Sequence, residues 1–364
     1  MKIIHCADVH LDSPMESKLS KEKSKQRKRE LLENFKNMVD FAAKNDVEVI
    51  LIAGDLFDNT KKIINKKTKR YIIDLIKSNE QIDFIYLKGN HDGNNFLEEE
   101  DMPQNLKMFN NDWNSYSYGN VVITGVELDK NNKNIFKTLN LKYENFNIVT
   151  MHGQIDKSLN RKDKGEIIYL NELKNKNIDY LALGHIHKGE EGNLDSRGIY
   201  VYPGCLEGRS FDECGEKGFI LLEIENGNLK RSFIKNSKRT VYEIEVNIVG
   251  INSQLELDDL IEKKLINIYK ENIVRVTLVG DYEVKEIGEG LETYLEIDKI
   301  QSKYENEFFY FEVKNEAKPI INWEKFQNDI SLKGEFIRLV KEQNWSEDEK
   351  NEVCLSRYKG DIWR

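Results

Sequence analysis

Seven residues of metal-ligand type stand in five short segments: Asp8 and His10 in "DVH", Asp55 in "GDLFD", Asn90 in "GNHD", His152 in "HG", and His185 and His187 in "GHIH". All offer nitrogen or oxygen and none is a cysteine, which suits Mn2+, Fe2+ or Zn2+ better than a structural thiolate site suits zinc. Seven ligands are more than one ion with open positions takes, so two metals are expected. Five of the six histidines fall in these segments. Any one of them alone reads as a satisfied polar group; together they read as a site. His5 alternates away from Asp8 and is expected in the core or at a helix interface.

Each segment follows an apolar run: "KIIHCA", "VEVILIAG", "DFIYLKG", "NIVTM" and "DYLALG". Between them lie Lys/Glu-rich amphipathic stretches such as "KRELLENFKNMVDFAAKN" and "KKTKRYIIDLIKSN". Buried strands alternating with helices predict an α/β or layered αββα domain over residues 1–235. Ligand sites in such sheets gather beyond the carboxyl ends of the strands, where loops converge on a rigid base. In an extended segment, side chains two residues apart point the same way. His185 and His187 are therefore expected to share a face, as are Asp8 and His10.

Hairpin patterning appears at 109–126 and 198–234, with "ENGN" supplying turn residues. A small α+β domain is expected over 240–320. Two helices follow, near 322–342 and 346–358, in a 321–364 segment carrying Trp323, Phe326, Phe336, Ile337, Leu339, Trp345 and Trp363. These aromatic and aliphatic side chains either pack on the body or dock a partner.

The 364 residues are 39% hydrophobic and 33% charged, an ordinary globular balance with room for more than one domain. A net charge of −9 argues against simple electrostatic adhesion to nucleic acid, although bound metals and local basic patches invert the field at one face. Cys6, Cys205, Cys214 and Cys354 form no CxxC pair, so a reducing cytoplasm is the expected compartment. "MKIIHCADVHLDS" meets His5 and Asp8 before an apolar region of signal-peptide length, and a membrane location is not expected. Basic clusters at 21–29, 61–62, 66–70 and 161–164 are either phosphate contacts or solvated helix faces.

In this order and spacing, "DVH", "GDLFD", "GNHD", "HG" and "GHIH" resemble the calcineurin-like metallophosphoesterase superfamily. "IIHCADVHLDSP" and "RSFDECGEKGF" bring the chain nearer to the bacterial SbcD-like and YhaO-like DNA repair nucleases. The resemblance implies a four-layer αββα metallophosphoesterase sandwich followed by a small α+β capping domain and C-terminal helices. It also implies that Asp8, His10 and His187 hold one divalent ion, that Asn90, His152 and His185 hold a second, and that Asp55 bridges them. Mn2+ is the expected metal. His91 resembles the family's catalytic histidine, which protonates the leaving group, and Asp58 the carboxylate that orients it. Some archaeal and eukaryotic repair nucleases carry a histidine at the position of Asp58. Asp92 is expected no nearer than behind the ligands, and Arg209 is a candidate substrate contact.

The implied activity is metal-dependent hydrolysis of DNA phosphodiesters, as an exonuclease with possible endonuclease action, in DNA repair. The alternatives are a phosphatase or phosphodiesterase of small nucleotides, and a non-catalytic scaffold for DNA or an ATPase. The family implies an SbcC-like coiled-coil ATPase as partner; the chain has no P-loop pattern of its own. It also implies a homodimer, formed through helices near 66–79 and 96–110.

Overall fold

The computed structural model describes residues 1–15, 19–58, 65–93, 102–129, 132, 134–156, 166–283, 285–287, 290–292, 295–321, 323–326 and 328–358. The chain divides into two compact units, Met1–Thr240 and Val241–Arg364.

The first unit opens with β1 (Lys2–Cys6), α1 (Lys21–Lys44), β2 (Val49–Ala53), α2 (Lys66–Lys77), β3 (Asp83–Leu87) and a short β4 (Leu106–Met108). The chain then crosses to a second sheet through a hairpin of β5 (Asn114–Tyr118) and β6 (Val121–Gly125), followed by β7 (Phe146–His152). A small parallel pair, β8 (Gln154–Ile155) with β9 (Ile167–Ile168), and α3 (Leu170–Leu173) lead to β10 (Tyr180–Gly184), β11 (Glu190–Asn193) and β12 (Ile199–Tyr202). A final hairpin, β13 (Gly218–Glu225) and β14 (Asn228–Lys235), rejoins the first sheet.

The strand orders are β14-β13-β1-β2-β3-β4 and β11-β12-β10-β7-β6-β5. In each sheet the four strands that run together, β1 to β4 and β12, β10, β7 and β6, are parallel. The hairpin turn at Asn226 and Gly227 has φ of 51° and 79°, the left-handed pair that a tight two-residue turn requires.

Strand periodicity sorts side chains into layers. Ile3, Leu51 and Ile85 of the first sheet meet Ile123, Ile148 and Tyr180 of the second in one core. Ile4, Cys6, Ile50 and Phe84 point the other way, against Leu31, Phe35 and Met38 of α1 and Ile72 and Ile76 of α2. Burying each such side chain contributes about 1.5–3 kcal/mol. Ser20 and Asn65 start these helices by accepting from the N–H groups of Lys23 and Lys67.

The outer face of the second sheet is covered more thinly. Val149, Met151, Leu181 and Leu183 pack on Phe136, Leu139, Leu173 and Ile178, which belong to a 3-10 turn at Ile135–Thr138, the single turn of α3 and adjoining loops. The fold is an αββα sandwich with one full helical layer and, among the described residues, one made of short turns.

His5 lies between the sheets, fully buried, with Nδ1 2.9 Å from the Tyr180 hydroxyl. Residues 106–108, expected in a helix, form edge strand β4 instead; three residues are too few for a period to be read.

The second unit has a parallel three-stranded sheet of Val241–Asn247, Ile273–Val279 and Tyr310–Asn315, with helices at Gln254–Leu265 and Ile297–Tyr304. Phe326, Ile337, Val340 and Cys354 from the C-terminal helical segment share one core with Val246, Val276 and Phe311. Among the described residues no helix is long and apolar enough to cross a membrane. The clusters at 61–62 and 161–164, Trp363 and residues 96–101 lie outside the described residues.

Candidate metal centre

Three adjacent parallel strands of one sheet and two of the other end at the same place. Asp8 follows β1, Asp55 follows β2, Asn90 and His91 follow β3, His152 closes β7, and His185 and His187 follow β10.

The side chains assemble in two halves. In the inner half, His152 Nε2 lies 3.1 Å from Asn90 Oδ1, and His185 Nδ1 lies 3.3 Å from the same oxygen. In the outer half, the Nε2 atoms of His10 and His187 stand 3.1 Å apart, with Asp8 Oδ1 3.8 Å from His187 Nε2. Asp55 stands between the halves, its Oδ2 3.3 Å from His152 Nε2 and 3.7 Å from His10 Nε2. The structure thus brings the seven candidate residues together, with Asp55 between the two groups.

Backbone geometry accounts for the convergence. Asp8, His10 and Asp55 have φ of 52°, 50° and 52°, and His185 has φ of 104°. Left-handed conformations at non-glycine residues cost on the order of 1–3 kcal/mol each and persist only where the surroundings over-determine them. They also correct one expectation: the chain beyond Gly184 turns at His185 instead of continuing extended. His185 and His187 do not share a face; one serves each half.

Hydrogen bonds hold the carboxylates. Both oxygens of Asp8 lie 3.0 Å from the N–H of His185, and Asp55 Oδ1 accepts from the N–H of His91 at 2.9 Å. Close approach leaves no room for a side chain at Gly54 or Gly184. A Cβ on Gly54 would fall 2.1 Å from His152 Nδ1, and one on Gly184 1.9 Å from the Ala53 carbonyl oxygen.

The protonation tendencies show how much charge is concentrated here. Burial raises the Asp8 carboxyl to about 6 despite His152 beside it. Burial opposes a proton on His152, but Asp55 and Asp8 outweigh it and push that imidazole up to about 10. Burial first, and Arg209 second, bring His10 down to about 3, while burial and the charge of His152 bring His185 down to about 4. His152 donates from Nδ1 to the Ala53 carbonyl at 2.9 Å, so once Nε2 gives up its proton to an entering cation its lone pair faces the oxygens of Asn90 and Asp55. Acceptors then face acceptors, an arrangement that a cation satisfies. Ligand atoms of Asp8, His10 and His187, and those of Asp8, Asp55 and His152, lie within 4.8 Å of one another. The residues fit divalent ions.

His91 stands at the edge of the cluster, its side chain 39% exposed, with Nδ1 3.5 Å from Asp58 Oδ1. That carboxylate raises the proton affinity of the imidazole against the opposing effect of partial burial. The ring meets His10 edge-on at 5.1 Å between centroids.

Arg209, expected to meet substrate phosphate, reaches this region but directs its guanidinium at protein groups. Nη2 lies 2.8 Å from Glu213 Oε1, and Nη1 lies 3.4 Å from Asp58 Oδ2. Asp92 accepts from the N–H groups of Phe57 at 2.7 Å and Gly89 at 2.8 Å, tying together the loops that carry Asp55 and Asn90. Of the basic clusters, 21–29 contributes Arg27 to the interior, where it binds Glu30, Glu207 and the Gly208 carbonyl; Lys21, Lys25 and Arg29 of that cluster are exposed. In 66–70, Lys69 is buried while Lys66, Lys67 and Arg70 are exposed.

Sequence reasoning did not single out Glu213. Its Oε1 lies 2.6 Å from His187 Nδ1 and its side chain is 6% exposed. Burial alone would raise this carboxyl, but the bond from His187 and the charge of Arg209 hold it well below the usual carboxylate range. Lys217, also unsuspected, donates to the His187 carbonyl at 2.9 Å.

A model of the family described as "Calcineurin-like phosphoesterase" matches residues 1–189. The chain is 25% identical over 298 residues to YhaO of Bacillus subtilis, a metallophosphoesterase described as uncharacterized, covering 77% of this chain and 72% of that one. It is 25% identical over 265 residues to the DNA double-strand break repair protein Mre11 of Methanopyrus kandleri, covering 63% and 55%. It is 23% identical over 308 residues to the Mre11 of Sulfolobus acidocaldarius, covering 78% and 76%.

Proposed function

Since the chain belongs to the calcineurin-like phosphoesterase family, we propose that it is a divalent-metal-dependent DNA phosphodiesterase, an exonuclease of DNA repair with endonuclease action in its range. The observation that carries this reading is the pair of ligand sets joined at Asp55 Oδ2, with a histidine of raised proton affinity at their edge. Two of the relatives are by name DNA double-strand break repair proteins, which supports DNA as the substrate.

Asp8, His10 and His187 hold one ion, and Asn90, His152 and His185 the other, with Asp55 facing both. When bound, Mn2+ supplies Lewis-acid charge for the phosphoryl oxygens and acidifies a water for attack. The chain's own part is to place and protonate. His91, partly exposed and with its proton affinity raised by Asp58, delivers a proton to the departing sugar oxygen, and Asp58 orients the ring. Asp92 and the N–H of His91 hold the Asp55 and Asn90 loops in register, so that the acid and the ligands keep one geometry.

In this reading the 240–320 domain corresponds to the family's capping domain, and the C-terminal helices dock a coiled-coil ATPase of the SbcC kind. We place the chain in the cytoplasm, in line with its four free cysteines, and as a homodimer.

The test is hydrolysis by Mn2+-supplied protein of end-labelled double-stranded DNA, beside a small aryl phosphodiester, with His91→Asn as control. DNA cleavage that drops about 10²–10⁴-fold in the variant, with Mn2+ binding retained, is the expected result. Cleavage of the aryl ester alone would move the reading to a phosphodiesterase of small nucleotides. Absence of both, with metal bound, would favour a non-catalytic scaffold.

A further inference from the structure

We infer that Glu213 is the positioning residue of the outer half. By accepting the Nδ1 proton of His187 it holds the imidazole with Nε2 bare and directed at the cation that His187 shares with Asp8 and His10. The inference rests on the reading of the strand-end cluster as a metal site.

The geometry is specific. Glu213 Oε1 lies 2.6 Å from His187 Nδ1, and the other ring nitrogen, Nε2, is the one that faces His10 Nε2 at 3.1 Å. Both carboxylate oxygens already accept from Arg209, so toward the ring Glu213 is an acceptor, the proton between them belongs to Nδ1, and the lone pair is left at Nε2. The carboxylate is itself fixed on both oxygens: Arg209 donates from Nη2 to Oε1 at 2.8 Å and from its backbone N–H to Oε2 at 2.7 Å. The His187 backbone is held from the same stretch of chain, its carbonyl accepting from Lys217 Nζ at 2.9 Å and from the Cys205 N–H at 3.2 Å. Buried Arg27 of α1 anchors the beginning of that stretch through Glu207 at 2.7 Å and the Gly208 carbonyl at 2.6 Å.

Residues 205–217 therefore form a brace around one ligand. A carboxylate behind a metal-binding histidine fixes the ring and raises its basicity, and losing such a partner weakens metal affinity by about 10–100-fold. Arg209 extends the brace toward the acid: Nη1 stands 3.4 Å from Asp58, the carboxylate beside His91. The guanidinium thus links the outer metal half to the proton donor.

The experiment is calorimetric titration of the full-length metal-free chain with Mn2+, comparing wild type with Glu213→Gln, whose fold is checked by circular dichroism. Wild type is expected to take up two ions. The variant should take up one with unchanged affinity and the other about 10–100-fold more weakly. Long-range 15N spectra of the metal-free histidines should show His187 protonated at Nδ1 in wild type and a mixture of tautomers in the variant, a change that loss of mere packing would not produce. Two unchanged affinities in a folded variant would overturn the role of Glu213 and leave the metal site standing. A wild type that takes up no Mn2+ would overturn the metal-site reading and this inference with it. Should Glu213→Gln fail to fold, Arg209→Lys keeps the charge but removes the fork that pins the carboxylate. A smaller weakening confined to one ion supports the brace, and none contradicts it.

Discussion

Two histidines of the site, His152 of the inner half and His187 of the outer, are held by different means. His152, 1% exposed, donates from Nδ1 to a main-chain carbonyl, that of Ala53 at the end of β2. His187, 31% exposed, meets a carboxylate supplied by a loop. The inner half is thus built into the sheets themselves: Gly54 and Gly184 let β2, β7 and β10 approach closely enough for backbone to orient the ligand. His187, beyond the end of β10, depends instead on side chains, Glu213 and Arg209, that orient one another. A neutral carbonyl fixes a ring; a carboxylate fixes it and also increases its basicity.

The strongest way to break this division is to remove the group common to both halves. Asp55→Asn leaves the shape but takes away the charge between His10 and His152. Hydrolysis should fall about a thousandfold or more, several kcal/mol of lost transition-state stabilisation, and Mn2+ titration should show both ions weakened. Weakening of one ion alone would mean that Asp55 belongs to one half only.

Gly54→Ala strikes the inner half. Its Cβ would fall on His152 at a backbone φ of 94°, so His152 must move. Stability should drop by about 1–3 kcal/mol in thermal unfolding, and the inner ion should be lost before the outer one.

Much of this site was legible in the sequence, because strand-end loops converge by topology and the ligand types stand directly after the apolar runs. The hairpin at "ENGN" was equally legible, since Asn226 and Gly227 are the residue types that its left-handed turn needs. The backbone turns at Asp8, His10, Asp55 and His185 were not. A left-handed non-glycine residue is imposed by tertiary surroundings and leaves no local signal, which is why His185 and His187 were expected on one face. Glu213 was hidden for a related reason. It sits in "RSFDECGEKGF" among other charged residues, and only the fold shows that it is the buried one against His187. The thin outer layer escaped notice because loops and single turns cover a sheet without helical periodicity.

Metal removal probes both halves at once. An ion that binds only the folded chain and is present at about a hundredfold its Kd adds about 2.7 kcal/mol. For a unit of this size each kcal/mol shifts Tm by roughly 2–4 °C. Calorimetry with and without a chelator should therefore show the Mn2+-loaded first unit melting several degrees higher, whereas equal melting temperatures would deny that the ions bind the folded state.

The smallest effect is expected from Asp92→Asn. It keeps one acceptor oxygen for the Phe57 and Gly89 amides but weakens the tie between the Asp55 and Asn90 loops, at a cost of about 0.5–1.5 kcal/mol in denaturant unfolding. Both Mn2+ affinities should change little, since Asp92 stands behind both halves and orients no histidine. A large loss confined to one ion would give it a more direct part.

The most direct measurement is anomalous diffraction from crystals of the chain soaked in Mn2+. Two peaks are predicted, one among Asp8, His10 and His187 and one among Asn90, His152 and His185, with Asp55 reaching both. A single peak, or peaks away from these residues, would contradict the two-part centre on which the proposed hydrolysis rests.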